Sequence, residues 1–304
     1  MGNPSDDEAA FTKVWETLEV DETLAADGAT QTMRPPTKLP ELRGEFDVTD
    51  LPTLTGSPRS ESMPEIDVRE LLGEGGMGEV RLARQVPLGR DVAVKSLRRS
   101  RRSANREVVR VLLRESWVTG RLEHPNIVPI HTLGRNDADE PILVMKNIDG
   151  VSWAELLEDP SKSPRDFDSE NPLDWHLEIL SRVCDAVHFA HSKNIIHRDI
   201  KPENVMIGEF GEVYLLDWGI AVSLEDDPDG RLPSASEVTS PAGTPAFMAP
   251  EMVREDGDEL CPQTDVFLLG AILHRVVTGE PPNTGETLQE VMFNAFRTNT
   301  TDYE

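Results

Sequence analysis

The sequence predicts an α+β fold in which a small β-sheet lobe precedes a larger, mainly helical lobe. Between residues 65 and 148, short apolar runs typical of strands are interrupted by one helix. These runs read EIDVRELL, GEVRLARQV, DVAVKSL, IVPIHTLG and PILVMKNI. Beyond Val151 the spacing of apolar residues becomes mostly helical. The 304 residues suffice for a two-lobed domain with a sizeable core.

The clearest helix of the second lobe has the sequence LDWHLEILSRVCDAVHFAHS. Residues three or four positions apart predict an apolar stripe that packs on a core. The members of this stripe are Leu173, Leu177, Leu180, Cys184, Val187 and His191.

The chain is acidic, with 30 Lys and Arg against 56 Asp and Glu and a formal net charge of −26. This charge repels a phosphate backbone and therefore disfavours nucleic acid as a partner. Residues 1–62 combine an excess of acids with scattered Thr and Pro and few large apolar residues. We expect this segment to be a disordered tail.

The sequence also predicts the compartment. Only two cysteines occur, Cys184 and Cys261, which suits a reducing interior rather than a disulfide framework. No apolar run approaches the length of a membrane span, and the N-terminus lacks the features of a secretory signal. We expect a cytoplasmic protein with no membrane segment in this chain, and a membrane anchor beyond its C-terminus stays open.

A glycine-rich segment, GEGGMGEV, occupies residues 73–80 between two predicted strands. Missing side chains let backbone N–H groups approach phosphates closely. A strand follows the glycines, which argues against a dinucleotide-binding turn because such a turn opens a helix. Taken alone, the segment favours an ordinary glycine-rich hairpin, but Lys95 in the strand that follows argues against that interpretation.

Lys95 lies in the strand that follows, on the same face as Ala93 and Leu97. An inward-facing ammonium needs an anion. Glu115 supplies one, since it falls on the apolar stripe of the next helix and an unpaired buried carboxylate costs several kcal/mol. The sequence therefore predicts a Lys95–Glu115 ion pair.

The segment HRDIKPENV at residues 197–205 precedes a predicted hairpin that ends at Asp217. Asn204 begins one arm of this hairpin and Asp217 ends the other, so both can reach one cation. One amide and one carboxylate suit Mg²⁺ better than zinc. His197 is then a packing residue and not a metal ligand.

Five motifs together carry a family resemblance: GEGGMGEV, VAVK ending at Lys95, HRDIKPENV, DWG at 217–219 and GTPAFMAPE at 243–251. In this order they resemble the Hanks-type serine/threonine protein kinases of bacteria, from about Glu65 to the C-terminus. The resemblance implies a kinase domain over residues 63–304, with an antiparallel β-sheet lobe at about 63–148 and a helical lobe at about 149–304. It also implies ATP and Mg²⁺ or Mn²⁺ as cofactors and protein substrates with Ser or Thr acceptors, and the acidic charge of the chain favours basic substrates.

The resemblance assigns roles to individual residues. Asp199 is the expected base, and Trp218 replaces the usual Phe beside the metal-binding Asp. The expected catalytic residues are Asp199, Lys201, Lys95, Glu115, Asn204 and Thr244. The expected metal ligands are Asn204 and Asp217. The expected nucleotide-binding residues are Leu72, Gly73, Glu74, Gly75, Gly76, Met77, Gly78, Val80, Ala93, Lys95, Met145, Lys146, Ile148 and Met206.

Regulation is also implied by the resemblance. Arg198 precedes the base, and in similar kinases this Arg pairs with a phosphate on the activation segment, here bounded by Asp217 and Glu251. The candidate acceptors are Thr239, Ser240, Ser234 and Ser236, which are equally explained as plain loop residues. Threonines of the N-terminal tail are candidates for phosphorylation in cis.

Compared with the family, the second lobe looks truncated, because further helices normally follow the helix VFLLGAILHRVV. Those helices also supply an Arg partner for Glu251. We therefore expect exposed apolar surface near Val266 to Val277. Two alternatives to an active kinase stay open: a pseudokinase or nucleotide-binding scaffold, and a small-molecule phosphotransferase, which GTPAFMAPE disfavours.

Overall fold

The structure is a computed structural model that describes residues 4–17, 29–33, 47–55, 64–74, 78–98, 106–163, 172–228, 230–254 and 257–297. Within these ranges the α-helices are α1 (Pro4–Thr17), α2 (Arg106–Gly120), α3 (Trp153–Glu158), α4 (Pro172–His191), α5 (Pro250–Val253), α6 (Pro262–Thr278) and α7 (Leu288–Arg297). The strands are β1 (Ile66–Glu74), β2 (Gly78–Gln85), β3 (Arg90–Leu97), β4 (Ile130–Arg135), β5 (Pro141–Lys146), β6 (Gly150–Ser152), β7 (Ile195–Ile196), β8 (Val205–Gly208), β9 (Val213–Leu215) and β10 (Val222–Ser223).

The first lobe is an antiparallel sheet with the strand order β1-β2-β3-β5-β4. The pairing of β2 with β3 is continuous from Gly78, opposite Leu97, to Gln85, opposite Arg90. The turn between them ends at Gly89, whose φ of 61° is open to glycine without steric cost. The predicted small β lobe, with one helix between its third and fourth strands, is confirmed.

Side chains alternate between the two faces of this sheet along each strand, and apolar residues of β3 and β5 are buried on both faces. Val92 and Val94 of β3 pack on one face with Val144 of β5. On the other face, Leu97 and Leu143 pack against α2. Lys95 shares the face of Leu97 and therefore points toward α2.

The second lobe is mainly helical, and its core forms one apolar cluster around α3, α4, α6 and α7. Two small β elements complete it, a sheet with the order β6-β8-β9 and the antiparallel pair β7 and β10. Segments β7, 197–204, β8 and β9 lie on the side of this lobe that meets the sheet lobe; they carry the HRDIKPENV motif, and the DWG motif follows β9. The predicted two-lobed α+β fold is confirmed.

The buried face of α4 differs from the predicted stripe. Leu173 and Leu177 are exposed, at 42% and 41%. The helix instead buries Trp175, Ile179, Val183, Ala186, Val187 and Ala190. Both sets recur every three or four residues, and the set carrying Trp175 and Ile179 meets the core. The helix is confirmed, its predicted stripe is wrong at Leu173 and Leu177, and the later stripe members Leu180 and Val187 do contact the core.

The N-terminal segment also differs from the expected disordered tail wherever the structure describes it. Phe11 and Trp15 of α1 are buried, and the Phe11 ring lies 5.1 Å from Phe293 and 5.8 Å from Phe296 of α7. The segment contains few large apolar residues among many acidic ones, so its composition did not predict that a helix would pack on the domain. They nevertheless bury α1 against the second lobe.

Residues 47–55 attach to the sheet lobe. Arg135 N donates to Pro52 O at 2.9 Å, and Leu54 N donates to Arg135 O at 3.0 Å, so this segment covers the edge strand β4. The side chain of Leu54 is 3% exposed and joins the cluster of Ile66 and Val92. This part of the predicted tail is therefore packed onto the domain.

Helix α6 leaves apolar side chains on the surface, as predicted. Val266, Leu273 and Val277 are 57%, 36% and 58% exposed. Among the helices of the described ranges, none is both long enough and apolar enough to cross a membrane.

The docking of α1 is testable by replacing Trp15 with Ala. Loss of this buried ring removes apolar contacts with the second lobe, and we expect the free energy of unfolding to fall by about 3 kcal/mol or by the full docking energy of α1 if that is smaller. Urea denaturation measures the loss of unfolding free energy, and hydrogen exchange of the α1 amides measures the loss of docking of this helix. Lys13→Ala, at an exposed position of the same helix, is the matched control. Equal protection of α1 amides in both variants would contradict this packing.

Candidate active site

A cavity of about 680 Å³ lies between the two lobes. The sheet lobe contributes Gly78, Val80 and Lys95 to its wall, and α2 contributes Glu115. The second lobe contributes Lys201, Asn204 and Asp217. Positive groups and oxygen ligands thus meet around one volume, which is the arrangement needed to bind a phosphate chain and a cation.

The predicted Lys95–Glu115 pair is present. Lys95 Nζ lies 2.5 Å from Glu115 Oε1 and 3.9 Å from Asp217 Oδ1. The Glu115 residue is 6% exposed, so its charge is compensated by Lys95 inside the protein. The pair depends on two periodicities, because strand alternation turns Lys95 toward α2 and helical spacing places Glu115 on the side of Leu112.

The segment 197–199 is held by a residue that sequence analysis had not assigned to the site, Asp265 of α6. Its carboxylate is fully buried and accepts hydrogen bonds from His197 N at 2.8 Å and Arg198 N at 2.9 Å. His191 Nε2 lies 2.8 Å from the same group. The backbone before Asp199 is therefore fixed to the centre of the helical lobe.

His197 is a packing residue, as predicted, and its tautomer follows from its contacts. Its Nδ1 accepts from Asp199 N at 3.1 Å, so the proton is on Nε2, which lies 3.0 Å from Leu216 O. The ring contacts the buried Trp218 at a centroid distance of 4.4 Å. This residue links the 197–199 segment to the segment that carries Asp217.

Asp199 is surrounded by donors. Thr244 Oγ1 donates to its Oδ1 at 2.6 Å, and Asn204 Nδ2 donates to its Oδ2 at 3.0 Å. Lys201 Nζ lies 3.9 Å from the carboxylate and donates to Thr244 Oγ1 at 2.8 Å. A hydroxyl of the N-terminal segment, that of Thr32, donates to Oδ2 at 2.7 Å. The predicted residues are thus brought together, and Thr32 is an addition that the motifs did not indicate.

The proposed metal ligands converge from the two arms of the β8–β9 hairpin. Leu216 N donates to Asn204 O at 2.8 Å, which holds the two arms together beside the cavity. Asp217 has a φ of 55°, a left-handed conformation that Asp tolerates and that is typical of functional sites. Among the described residues no group of three or more His, Cys, Asp or Glu is arranged to hold a metal.

The glycine-rich segment is described in part. Gly75, Gly76 and Met77 lie outside the described residues, whereas Glu74 and Gly78 line the cavity. A Cβ at Gly78 would lie 2.8 Å from Ser96 O, so glycine there permits the close pairing of β2 with β3. Gly73 has open space around it.

The predicted nucleotide-binding residues are only partly brought to the cavity. Val80 and Met145 line it. Lys146 N donates to Pro129 O at 3.0 Å, so this N–H is not free to bind a base. Six predicted residues lie outside the cavity wall: Leu72, which is 51% exposed, Gly73, Ala93, Lys146, Ile148 and Met206. Their contact with a base stays a prediction.

Comparison with known proteins identifies the family. Residues 66–303, well over half of the chain, match the family described as protein kinase domain. The chain belongs to this family. Serine/threonine-protein kinase PknD of Chlamydia caviae is 36% identical over 230 residues, which is 71% of this chain and 24% of that protein. Serine/threonine-protein kinase PknB of Mycobacterium tuberculosis is 35% identical over 236 residues, which is 76% of this chain and 35% of that protein.

These relatives place the kinase domain among the bacterial Hanks-type serine/threonine kinases and confirm the resemblance carried by the motifs. Members of the family use ATP and a divalent cation. The chain spans about a quarter of the length of PknD and about a third of that of PknB.

The activation segment of the kinase domain is tied to α2 through Asp227. This carboxylate accepts from Arg231 N at 2.6 Å, Leu232 N at 3.0 Å and Arg121 Nη1 at 3.0 Å. Burial alone would raise the pKa of Asp227, but the hydrogen bonds from Leu232, Arg121 and Arg231 outweigh it, so the pKa lies below its usual value. The ionised form is therefore favoured in the folded kinase.

Two further residues complete this region. Glu251 accepts from Thr264 Oγ1 at 2.7 Å, a local partner in place of the expected Arg. Arg198 is 3% exposed, and burial lowers its pKa to about 10. Its Nη1 donates to Ile220 O at 3.3 Å, while its Nε and Nη2 find no acceptor among the described residues.

Sequence reasoning missed Asp265, Thr264 and Thr32 as members of the site. The available signal for Asp265 was its position as a lone Asp in the apolar run that forms α6. A carboxylate buried there requires hydrogen-bond donors from other parts of the chain. Nothing near Thr32 in the sequence indicated its contact with Asp199, 167 residues away.

Asp265→Asn tests the anchoring of the 197–199 segment. An amide can accept one of the backbone N–H bonds but turns its own N–H₂ toward another donor, so we expect unfolding free energy to fall by about 3 kcal/mol. Phosphate transfer should fall as well because Asp199 loses its support. Urea denaturation and a transfer assay measure these losses. Asp149→Asn, at an exposed position, should change neither, and equal stability of the two variants would refute the anchoring role.

The pKa of Asp227 predicts a pH dependence. Its folded pKa lies below the unfolded value of about 3.9, so the contribution of Asp227 is complete above that value and disappears as pH falls through the folded pKa. We expect Asp227→Asn to lower stability at pH 7 and its difference from wild type to shrink as pH falls below about 3.9. Urea midpoints across this range measure the difference. The neighbouring exposed Asp226→Asn should follow wild type throughout, and a difference that persists at low pH would contradict the assignment.

Proposed function

We propose that this protein is an ATP-dependent serine/threonine protein kinase that transfers the γ-phosphate of ATP to Ser and Thr hydroxyls of proteins, including its own activation segment. The observation that carries the proposal is that Lys95, Lys201, Asn204 and Asp217 line one cavity beside Asp199. Each of these groups matches a requirement of phosphoryl transfer.

Asp199 is the proposed base. A substrate hydroxyl that donates to its carboxylate is oriented for attack and can pass its proton to the same oxygen. Thr244 occupies the other carboxylate oxygen and keeps the Asp199 side chain in one orientation. Lys201 lies within hydrogen-bond distance of Thr244 and is suited to neutralise charge that develops on the transferred phosphate.

The nucleotide and cation are assigned to the rest of the cavity. Lys95, oriented by Glu115, is proposed to bind the α- and β-phosphates. Asn204 uses its amide nitrogen to hold Asp199, so its oxygen is the atom left for a cation, together with the carboxylate of Asp217. Magnesium bound there would neutralise phosphate charge, and Mn²⁺ is the alternative with the same ligand preference. We propose the base contacts of Leu72, Ala93, Met145, Lys146, Ile148 and Met206 on the family resemblance.

Substrate choice is proposed from charge and from the residues near Asp199. A net charge of −26 favours basic proteins over acidic ones. Lys201 and Thr244 together are typical of kinases that act on Ser and Thr. The paired Lys95 and the donors around Asp199 weigh against the pseudokinase alternative, which a transfer assay decides.

We also propose that a phosphate on the activation segment binds Arg198. A buried guanidinium with two nitrogens lacking acceptors among the described residues is costly, and a phosphate would supply charge and acceptors together. Thr239 is exposed and Ser240 is half-buried, so both are candidate acceptors, along with Ser234 and Ser236.

The domain division and compartment remain proposals as well. We propose a kinase domain over residues 63–304 with an N-terminal extension of residues 1–62, part of which packs on the domain. Use of ATP and two free cysteines favour a cytoplasmic location.

Asp199→Asn is the decisive variant for this proposal. It preserves shape but removes the base, and we expect transfer to fall by about two to four orders of magnitude. Incorporation of labelled phosphate from ATP with magnesium into a basic protein measures the loss, and removal of the metal with EDTA should also abolish transfer. Asp185→Asn, on the exposed side of α4, should keep wild-type activity. Equal incorporation by wild type and Asp199→Asn would remove the kinase assignment.

A further inference from the structure

Residues 29–33 of the N-terminal segment lie along the part of the activation segment that follows residue 242. Met33 N donates to Gly243 O at 2.6 Å, and Gly243 N donates to Met33 O at 2.9 Å, an antiparallel bridge. Ala246 N donates to Ala29 O at 3.0 Å. Main-chain bonds of this kind are how an added peptide pairs with a protein edge. The kinase therefore binds a segment of its own chain as it would bind an extended peptide.

The pairing places the hydroxyl of Thr32 on the proposed base. Thr32 Oγ1 donates to Asp199 Oδ2 at 2.7 Å and accepts from Lys201 Nζ at 2.9 Å. These hydrogen bonds use the single proton and one lone pair of the hydroxyl, and Thr244 Oγ1 lies at a longer 3.4 Å. Because Thr244 donates its own proton to Asp199 Oδ1, another lone pair on Thr32 Oγ1 stays available for attack on phosphorus.

The Thr32 hydroxyl also lies beside the cavity that is proposed to bind the nucleotide. Residues 30–32 line the same cavity as Lys95, Asn204 and Asp217. Lys201 Nζ lies 3.4 Å from Thr30 O, a further contact that holds the segment at this mouth. A γ-phosphate bound between Lys95 and the cation ligands would thus meet residues 30–32 at the end of the cavity.

Buried residues upstream of the segment and within it attach the segment to the same molecule. Upstream, Phe11 and Trp15 of α1 pack in the core of the second lobe. Within the segment, Ala29 is 4% exposed and Met33 packs against the same apolar cluster. A tethered acceptor reaches its site at a high effective concentration that does not depend on the concentration of protein.

We propose that Thr32 is an intramolecular phosphorylation site of this kinase, modified by the active site that holds it. The inference rests on the proposed function. In the step, Thr32 Oγ1 forms a bond to the γ-phosphorus of ATP, and its proton passes to the Asp199 carboxylate. The bond from that phosphorus to the oxygen bridging the β-phosphate breaks, and ADP leaves with its electron pair. The proton on Asp199 is then released to solvent.

The modification changes what occupies the site. Before transfer, Thr32 holds the position that a protein substrate's hydroxyl needs, so residues 29–33 compete with other substrates. Afterwards the phosphate brings a charge of about −1.5 to −2 next to Asp199, and like-charge repulsion favours departure of the segment. Phosphorylation of Thr32 therefore opens the site to other proteins.

The test uses the full 304-residue chain, dephosphorylated and then incubated with MgATP and a basic protein as second acceptor. Mass spectrometry of the peptide that contains Thr32 measures phosphate on that residue. We expect phosphate on Thr32 in wild type and Thr32→Ser and its loss in Thr32→Ala. The matched control Thr53→Ala, at an exposed position of residues 47–55, should keep it. Thr32→Ala should also phosphorylate the basic protein with a higher initial rate than the unmodified wild type.

The intramolecular route has its own measurement. The first-order rate constant for Thr32 should stay constant as kinase concentration is raised. Full-length Asp199→Asn, mixed with active Thr32→Ala, should acquire no phosphate on its Thr32. Labelling of Asp199→Asn at the wild-type rate would overturn the intramolecular assignment.

Failure of the inference differs from failure of the proposed function. If the basic protein is phosphorylated while Thr32 stays unmodified, the Thr32 assignment is overturned and the kinase assignment remains. If neither acceptor gains phosphate above the level of Asp199→Asn, both are overturned.

Discussion

The geometry of the active site depends on one buried carboxylate, that of Asp265. An ionised group with no solvent contact must be matched by donors, and here the donors are the backbone N–H groups of His197 and Arg198 together with His191. This requirement fixes the chain just before Asp199. His197 then passes the constraint on, because its ring joins Asp199 N to Leu216 O, next to Asp217. A helix in the centre of the second lobe thereby positions chemistry at its surface.

Helix α2 connects this arrangement to the sheet lobe. Glu115 binds Lys95 at the cavity, and Arg121, just beyond the end of the helix, binds Asp227 in the activation segment. One ion pair is made by α2 itself and the other by the residue that directly follows its last turn, so a displacement of α2 would disturb Lys95 and the activation segment together. The cavity and the activation segment are therefore physically linked through α2 and the residue after it.

The N-terminal segment shows how a sparsely apolar chain can be ordered without forming a domain of its own. Its composition argues against an independent core, and no such core is formed by the described residues. Phe11, Trp15, Ala29 and Leu54 instead enter the cores of the two lobes. Between these contacts, main-chain pairing with Gly243 sets the register that brings Thr32 to Asp199. Few apolar residues suffice because the surface that receives them is already folded.

The sequence by itself determined the two-lobed α+β class, the Lys95–Glu115 pair and the convergence of Asn204 with Asp217. Each follows from short-range periodicity or from the order of motifs along the chain. Only the tertiary structure decided which of two equally spaced faces of α4 is buried, that Asp265 holds the loop of Asp199, and that the Thr32 hydroxyl binds the Asp199 carboxylate. These features depend on contacts between residues far apart in sequence, 167 positions in the case of Thr32 and Asp199. Local spacing carries no information about such contacts, because they arise only when separately formed elements pack together.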